Sequence, residues 1–125
     1  MPILRLDIVE NGTDTPCYGR QVIQELADGL GSLFGTGPAG TWVQVRYLPR
    51  DSYAENDTVL DGDIQPVFVH VLKARVPEPP SLRTEAAAIA ALVARVLDRP
   101  QDNVHVIYEP PGAGRVAFGG KLVDG

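Results

Sequence analysis

The second residue of the chain is a proline, and a proline that becomes the first residue has unusual chemistry. If Met1 is removed, Pro2 carries a secondary amine with a free lone pair, at the start of a strand-like apolar run. An α-amino group titrates near pH ~8, and desolvation or nearby cations lower that value towards neutral pH. Such an amine could act as general acid and base and move protons at carbon. Proline is common at position two, so this interpretation depends on its surroundings.

Lys73 and Arg75 are the first candidates for holding a substrate carboxylate. They follow a predicted strand two residues apart, which places two positive charges at one strand end. Arg46 projects from the same face of its strand as Gln44 and could supply a further charge, or it forms a surface or interface ion pair.

Three more polar residues have competing interpretations. Arg115 could close over a neighbouring subunit's pocket, or it is a solvated arginine. His105 could polarise a carbonyl or act as an acid, or it packs at a sheet edge. His70 lies in the middle of a strand, and we expect a satisfied core residue there.

Composition narrows the class of protein. The 125 residues carry a net charge of −5, which argues against a surface that binds nucleic acid. No basic leader with an apolar segment is apparent, and no apolar run reaches the ~20 residues of a membrane span, so we expect a soluble cytoplasmic protein without membrane or nucleic-acid partners. The single cysteine, Cys17, excludes an intrachain disulfide, and no Cys/His spacing is typical of zinc. We expect neither metal nor cofactor.

Hydrophobic periodicity predicts a β-α-β unit in the first half. Residues 3–9 alternate as a half-buried strand. After the turn at Asn11-Gly12, a helix is predicted to run to about Phe34 and to end at Gly35, and a strand follows at 41–48. Three residues are candidates for the cap of this helix: Thr13, Asp14 and Thr15.

The same order recurs in the second half, with strand 67–72, a helix from Ser81 to about Leu97, and strand 104–108. Residues 42–49 align with 103–110 at two valines, a tyrosine and a proline, and Pro2 aligns with Pro66. Because the nitrogen of Pro66 lies in a peptide bond, it cannot be a base. The glycine-rich tail predicts a short β-ribbon, and a further ribbon is considered at Val59-Leu60.

These elements predict one domain over 1–125: repeat unit one at about 2–50, a connecting loop at 50–64, and unit two at about 66–125. The fold class is α+β. Tandem β-α-β units with a pseudo-twofold repeat form a four-stranded sheet with two helices on one face, plus short β-ribbons.

The chain resembles the tautomerase superfamily, whose members carry an amino-terminal catalytic proline on a β-α-β unit. The segments 103–108 and 118–122, with Gly114 between them, are similar to the last strand and ribbon of 4-oxalocrotonate tautomerase. The stretch 68–75, with Lys73 and Arg75, is similar to fused members such as 5-carboxymethyl-2-hydroxymuconate isomerase and malonate semialdehyde decarboxylase. The resemblance implies a tautomerase/MIF-like fold, a homotrimer with three active sites, and no cofactor.

The chain departs from 4-oxalocrotonate tautomerase at that family's two arginines. Gly12 and Gln44 occupy those positions in the first unit, and Val76 and His105 in the second. The resemblance therefore implies a tautomerase or isomerase that acts with Pro2 on another small enol or unsaturated α-keto acid. Two alternatives are a decarboxylase or hydratase of the same superfamily and a binding protein without turnover.

Overall fold

The computed structural model describes residues 2–11 and 17–124. The strands are β1 (Ile3–Val9), β2 (Trp42–Leu48), β3 (Val67–Leu72), β4 (Val104–Tyr108), β5 (Ala117–Phe118) and β6 (Lys121–Leu122). The helices are α1 (Arg20–Phe34) and α2 (Pro79–Leu97), and short 3-10 turns lie at Arg50–Ser52 and Gln101–Asn103.

The main sheet has the strand order β2-β1-β3-β4. β1 pairs with β2 and β3 pairs with β4 in parallel, while the central pair β1 and β3 is antiparallel. Two β-α-β units thus meet along their first strands, and β5 and β6 form a separate antiparallel ribbon. The predicted fold class is confirmed.

One face of the sheet is covered by both helices. Alternate residues of the central strands are buried there against Leu26 and Leu30 of α1 and Ile89 and Val93 of α2. Burying these aliphatic side chains contributes about 1.5–3 kcal/mol each. The other face, which we call the open face, carries Ile3, Arg5, Asp7, Trp42, Gln44, Arg46, Phe68, His70, Leu72, His105 and Ile107.

The sheet register corrects the alignment of Pro2 with Pro66. Leu4 pairs with Val43, and Val67 pairs with Val104. Since Val43 and Val104 are equivalent, Leu4 corresponds to Val67, and Pro66 corresponds to Ile3. The predicted alignment is wrong by one residue, because it would make the buried Leu4 equivalent to a residue of the open face in the second unit.

The helix ends follow backbone chemistry. Gly35 adopts φ +69° as the C-cap of α1, as predicted. Gly19 is the N-cap of this helix, so the predicted cap at 13–15 is wrong; those three residues themselves lie outside the described residues. α2 begins at Pro79, two residues before the predicted start, because proline suits the first helical turn, where its missing N–H removes no helical hydrogen bond.

The tail forms the predicted ribbon, and its turn needs glycine. Gly119 and Gly120 adopt φ of +57° and +85°, which suit a tight hairpin between β5 and β6. Val59 and Leu60 form no strand, so the second ribbon considered above is absent from this described segment.

Arg99 closes the sheet at the end remote from Pro2. Its side chain is buried, with 6% exposed, and Nη1 donates to the carbonyls of Val9 at 2.9 Å and Gln65 at 3.0 Å. Nε donates to Tyr18 Oη at 3.2 Å, and that hydroxyl donates to Leu97 O at 2.8 Å. Arg99 thus links the two units. It does so at the end of the sheet that the pseudo-twofold symmetry makes equivalent to the Pro2 end. Among the described residues, no helix is long and apolar enough to cross a membrane.

Candidate active site

A cavity of about 450 Å³ opens on the open face at the Pro2 end of the sheet. The start of β1 meets the ends of β3 and β4 there, because β1 runs antiparallel to both. We call this cavity the open-face pocket, and it is lined by Ile3, Arg5, Gln44, His70, Leu72, Glu109, Pro110, Gly112 and Arg115.

Pro2 directly precedes β1, whose first residue lines this pocket. It is buried, and its carbonyl accepts a hydrogen bond from Trp42 N at 3.0 Å, which fixes the start of β1 against β2. Its neighbour Ile3 lines the pocket, whereas Pro2 itself is not a lining residue.

Lys73 lies across the sheet from Pro2. The antiparallel register ends with Ile3 opposite Leu72, so the next step places Pro2 opposite Lys73. The Lys73 side chain is 18% exposed, and its Nζ lies 2.6 Å from Oε1 of Glu85, which is 14% exposed. Nζ also stands 5.0 Å from the ring centre of Phe34. The Lys73 side chain therefore lies on the helix side, and its positive charge already has an acidic partner.

Tyr108 completes this group through the second oxygen of Glu85. Its hydroxyl donates to Glu85 Oε2 at 2.7 Å. Burial, followed by the hydrogen bond to the Glu85 carboxylate, raises the pKa of Tyr108 far above its ordinary value. The phenol is therefore neutral and acts as a donor, and Glu85 receives one bond on each oxygen.

The open-face pocket contains an imidazole between two carboxylates. His70 Nε2 lies 3.3 Å from Asp7 Oδ2, and His70 Nδ1 lies 3.3 Å from Glu109 Oε1. The other oxygen of Asp7 is 3.6 Å from Arg5 Nε. Neither Arg5 Nε nor His70 Nδ1 makes a hydrogen bond of good geometry, although both atoms are buried. His70 is thus a pocket residue of the open face, and the expected satisfied core histidine is wrong.

Arg115 is the one predicted binding residue that lines the open-face pocket. Its backbone N–H donates to Gly112 O at 2.8 Å, and Gly112 N in turn donates to Lys73 O at 2.7 Å. These bonds hold the turn that carries Arg115 against the end of β3. The side chain is exposed, and it has no acidic partner within the described ranges.

The other predicted binding residues lie outside the pocket. Arg75 is exposed, two residues beyond Lys73. Arg46 is exposed on the edge strand β2, next to Asp7 in the register. His105 is exposed on the opposite edge strand, and its ring lies 5.4 Å from that of Phe68. The structure therefore brings Pro2, Lys73 and Arg115 to one end of the sheet and leaves His105 towards the other.

Sequence reasoning missed Arg5, His70 and Glu109 as pocket residues. Strand alternation placed Arg5 on the polar face, which was a usable signal. Its pairing with His70, however, depends on β1 and β3 being antiparallel neighbours, which the two β-α-β units do not specify by themselves. No group of three or more metal-ligating side chains occurs in the described part of the chain.

The fold matches solved structures, whereas no protein-family model and no curated protein sequence matches the chain. Pt0534 inactivated by 2-oxo-3-pentynoate superposes with a TM-score of 0.73 and 15% identity, covering 96% of this chain and 94% of that one. A fused 4-OT described as a wild-type asymmetric trimer gives 0.69 and 15% identity, covering 94% of each chain.

A third similar structure is FG41 malonate semialdehyde decarboxylase inhibited by 3-bromopropiolate. Its TM-score is 0.67 at 14% identity, with 94% of this chain and 88% of that one covered. All three are members of the tautomerase superfamily. The protein has the tautomerase fold, with two β-α-β units on one chain.

Proposed function

We propose that the protein is a cofactor-independent tautomerase or isomerase of a small enol or unsaturated α-keto acid. Pro2, after removal of Met1, is the general acid and base. The observation that carries the proposal is the place of Pro2: it stands opposite Lys73 in the sheet register and directly precedes Ile3, which lines the same pocket as Arg115. Fold alone would not carry it, because one fold serves many reactions.

The surroundings of Pro2 suit a neutral amine. Desolvation disfavours the charged form of an amine, and a lysine opposite Pro2 in the register, Lys73, acts in the same direction. Glu85 offsets part of that effect. A neutral Pro2 nitrogen accepts the proton from an enol oxygen or an α-carbon, and the resulting ammonium returns it to carbon, so no net proton is consumed.

Cations near Pro2 hold the substrate carboxylate in this proposal. Arg115 lines the open-face pocket, and Arg75 stands beyond the end of β3. Lys73, on the helix side, would have to exchange Glu85 for the substrate carboxylate. A positive charge close to the reacting carbon also stabilises the enolate that forms in the transition state. Arg46 and His105 lie on the edge strands, where they could reach the site of a neighbouring subunit.

A homotrimer is part of the proposal, and the fused 4-OT of the same fold is described as a trimer. Trp42 and Ile107 are large apolar residues at 47% and 43% exposure on the two edge strands. Light scattering during size-exclusion chromatography measures the mass directly, and a monomer at micromolar concentration would exclude this part of the proposal.

The decisive experiment measures ketonisation of phenylenolpyruvate by the protein and by Pro2→Ala. Intact mass first establishes that Met1 is absent from the sample. We expect the variant to lose activity by about 100-fold or more, since a general base contributes about 10²–10⁴-fold. Equal activity of the two proteins would refute the role of Pro2.

Decarboxylation of a β-keto acid is the second candidate. The observation that favours it is the pair Lys73 and Arg75, which falls where the decarboxylase branch carries its basic pair. The same Pro2→Ala comparison with a β-keto acid, followed by release of carbon dioxide, separates the two reactions. Turnover of the keto acid without ketonisation of the enol would replace the first proposal by the second.

A further inference from the structure

We propose that the open-face pocket binds a small monocarboxylate through Arg115 and that Glu109 excludes a second carboxylate. This inference rests on the proposed function and names the substrate class: a keto or enol acid with one carboxylate and an apolar body.

Arg115 is the cation of the pocket that is ready to bind an anion. The charge of Arg5 is offset by Asp7, whose Oδ1 lies 3.6 Å from Arg5 Nε. Arg115 has no such acidic partner in the described segments, and its backbone is held by the turn at Gly112. A guanidinium on a fixed backbone offers two parallel N–H groups to a carboxylate, and this geometry favours carboxylates over other anions.

Glu109 gives the pocket its selectivity. Its carboxylate lines the cavity and is 40% exposed, with Oε1 3.3 Å from His70 Nδ1. His70 also contacts Asp7 and so is shared between two carboxylates. A second carboxylate on the ligand would enter the field of Glu109, and the other cation of the pocket, Arg5, already lies beside Asp7. Like charges about 6 Å apart at a protein surface repel by enough to weaken binding about tenfold or more.

The rest of the pocket accepts an apolar body. Ile3, Leu72 and Pro110 contribute aliphatic surface between the polar residues. A volume of about 450 Å³ falls in the usual range for small-molecule sites, about 300–1,000 Å³. Gln44 offers an amide that can donate to a keto oxygen or accept from an enol hydroxyl.

The test measures binding in the Pro2→Ala background, so that turnover does not interfere. 2-Oxopentanoate and the dicarboxylate 2-oxoglutarate have equal chain lengths, and calorimetry measures the Kd of each. We expect 2-oxopentanoate to bind at least about tenfold more tightly. Arg115→Ala should weaken its binding by about 10- to 100-fold, as loss of a hydrogen-bonded charge pair does. Arg83→Ala, at an exposed arginine of α2, is the matched control and should change nothing.

Glu109→Gln tests the selectivity alone. It should tighten 2-oxoglutarate binding by about tenfold and leave 2-oxopentanoate within about twofold. Unchanged binding in Arg115→Ala, an unchanged preference in Glu109→Gln, or no binding of either acid at millimolar concentration would overturn the proposal. Selective binding by a protein whose ketonisation is insensitive to Pro2 would instead refute only the proposed function.

Discussion

Removing the charge of Glu85 should cost more stability than removing both charges of its ion pair. In Glu85→Gln, the Lys73 ammonium stays between the helices and the sheet without its acidic partner. In the double variant with Lys73→Met, neither charge remains, and the methionine stem can still pack on Phe34. The pair lies opposite Pro2, so its stability bears directly on the candidate site.

The structure sets the size of this effect. Breaking a buried ion pair by removing one partner costs about 3–5 kcal/mol. Lys73 and Glu85 keep 18% and 14% of their side chains exposed, so water compensates in part, and we expect about 2–3 kcal/mol for Glu85→Gln. The bond from Tyr108 also weakens, because a neutral acceptor is worth about 1 kcal/mol less than a charged one. The double variant should recover about 1–2 kcal/mol relative to Glu85→Gln.

Urea unfolding monitored by far-ultraviolet circular dichroism gives these free energies by linear extrapolation. All variants are compared at one protein concentration, because any oligomer makes stability concentration-dependent. Glu25→Gln, at an exposed acid of α1, is the matched control and should remain within about 0.5 kcal/mol of the parent. A Glu85→Gln variant as stable as this control, or a double variant no more stable than Glu85→Gln, would contradict the prediction.

Three further predictions concern other parts of the fold. Burial raises the pKa of Tyr53 to about 12 and raises that of Tyr108 further, so both phenols stabilise the fold fully below pH ~10. This stability is lost for Tyr53 as pH rises through about 12, and for Tyr108 at higher pH. Tyr108→Phe should make the alkaline loss in urea titrations shallower, and an unchanged slope would contradict this. Arg99→Met leaves the carbonyls at the closed sheet end without donors and should lower the unfolding free energy by about 3 kcal/mol, whereas the exposed control Arg95→Met should stay within about 0.5 kcal/mol. Gly120→Ala forces a side chain into φ +85° and should cost about 1 kcal/mol in thermal unfolding; an unchanged or raised Tm would show that the ribbon turn adapts.

Local patterns in the chain predicted the order of the strands and helices and several of their bounds. Alternation over 3–9 and 67–72 predicted the bounds of β1 and β3, because a strand buried on one face needs an apolar side chain at every second position. Gly35 and the pair Gly119 and Gly120 predicted a helix end and a ribbon turn, because those backbones need positive φ. Each of these signals lies within a few residues of the structure that it specifies.

The candidate site was likewise predictable only in part from the sequence. The types of Pro2, Lys73 and Arg115 suggested an amine base with cations that bind a carboxylate. That suggestion does not require the tertiary structure. Which residues share a pocket depends on strands far apart in the chain, whose register no local pattern determines.

By itself, the sequence determined the two β-α-β units, their alternating faces and the proline at the head of the first strand. Only the tertiary structure decided that β1 and β3 are antiparallel neighbours, which places His70 beside Arg5 and Lys73 opposite Pro2. It also decided that Pro66 matches Ile3 rather than Pro2. The physical reason is that side chains alternate between the two faces along a strand, so the local sequence determines which face each one occupies. The neighbouring strand and its register are instead determined by the packing of the whole core.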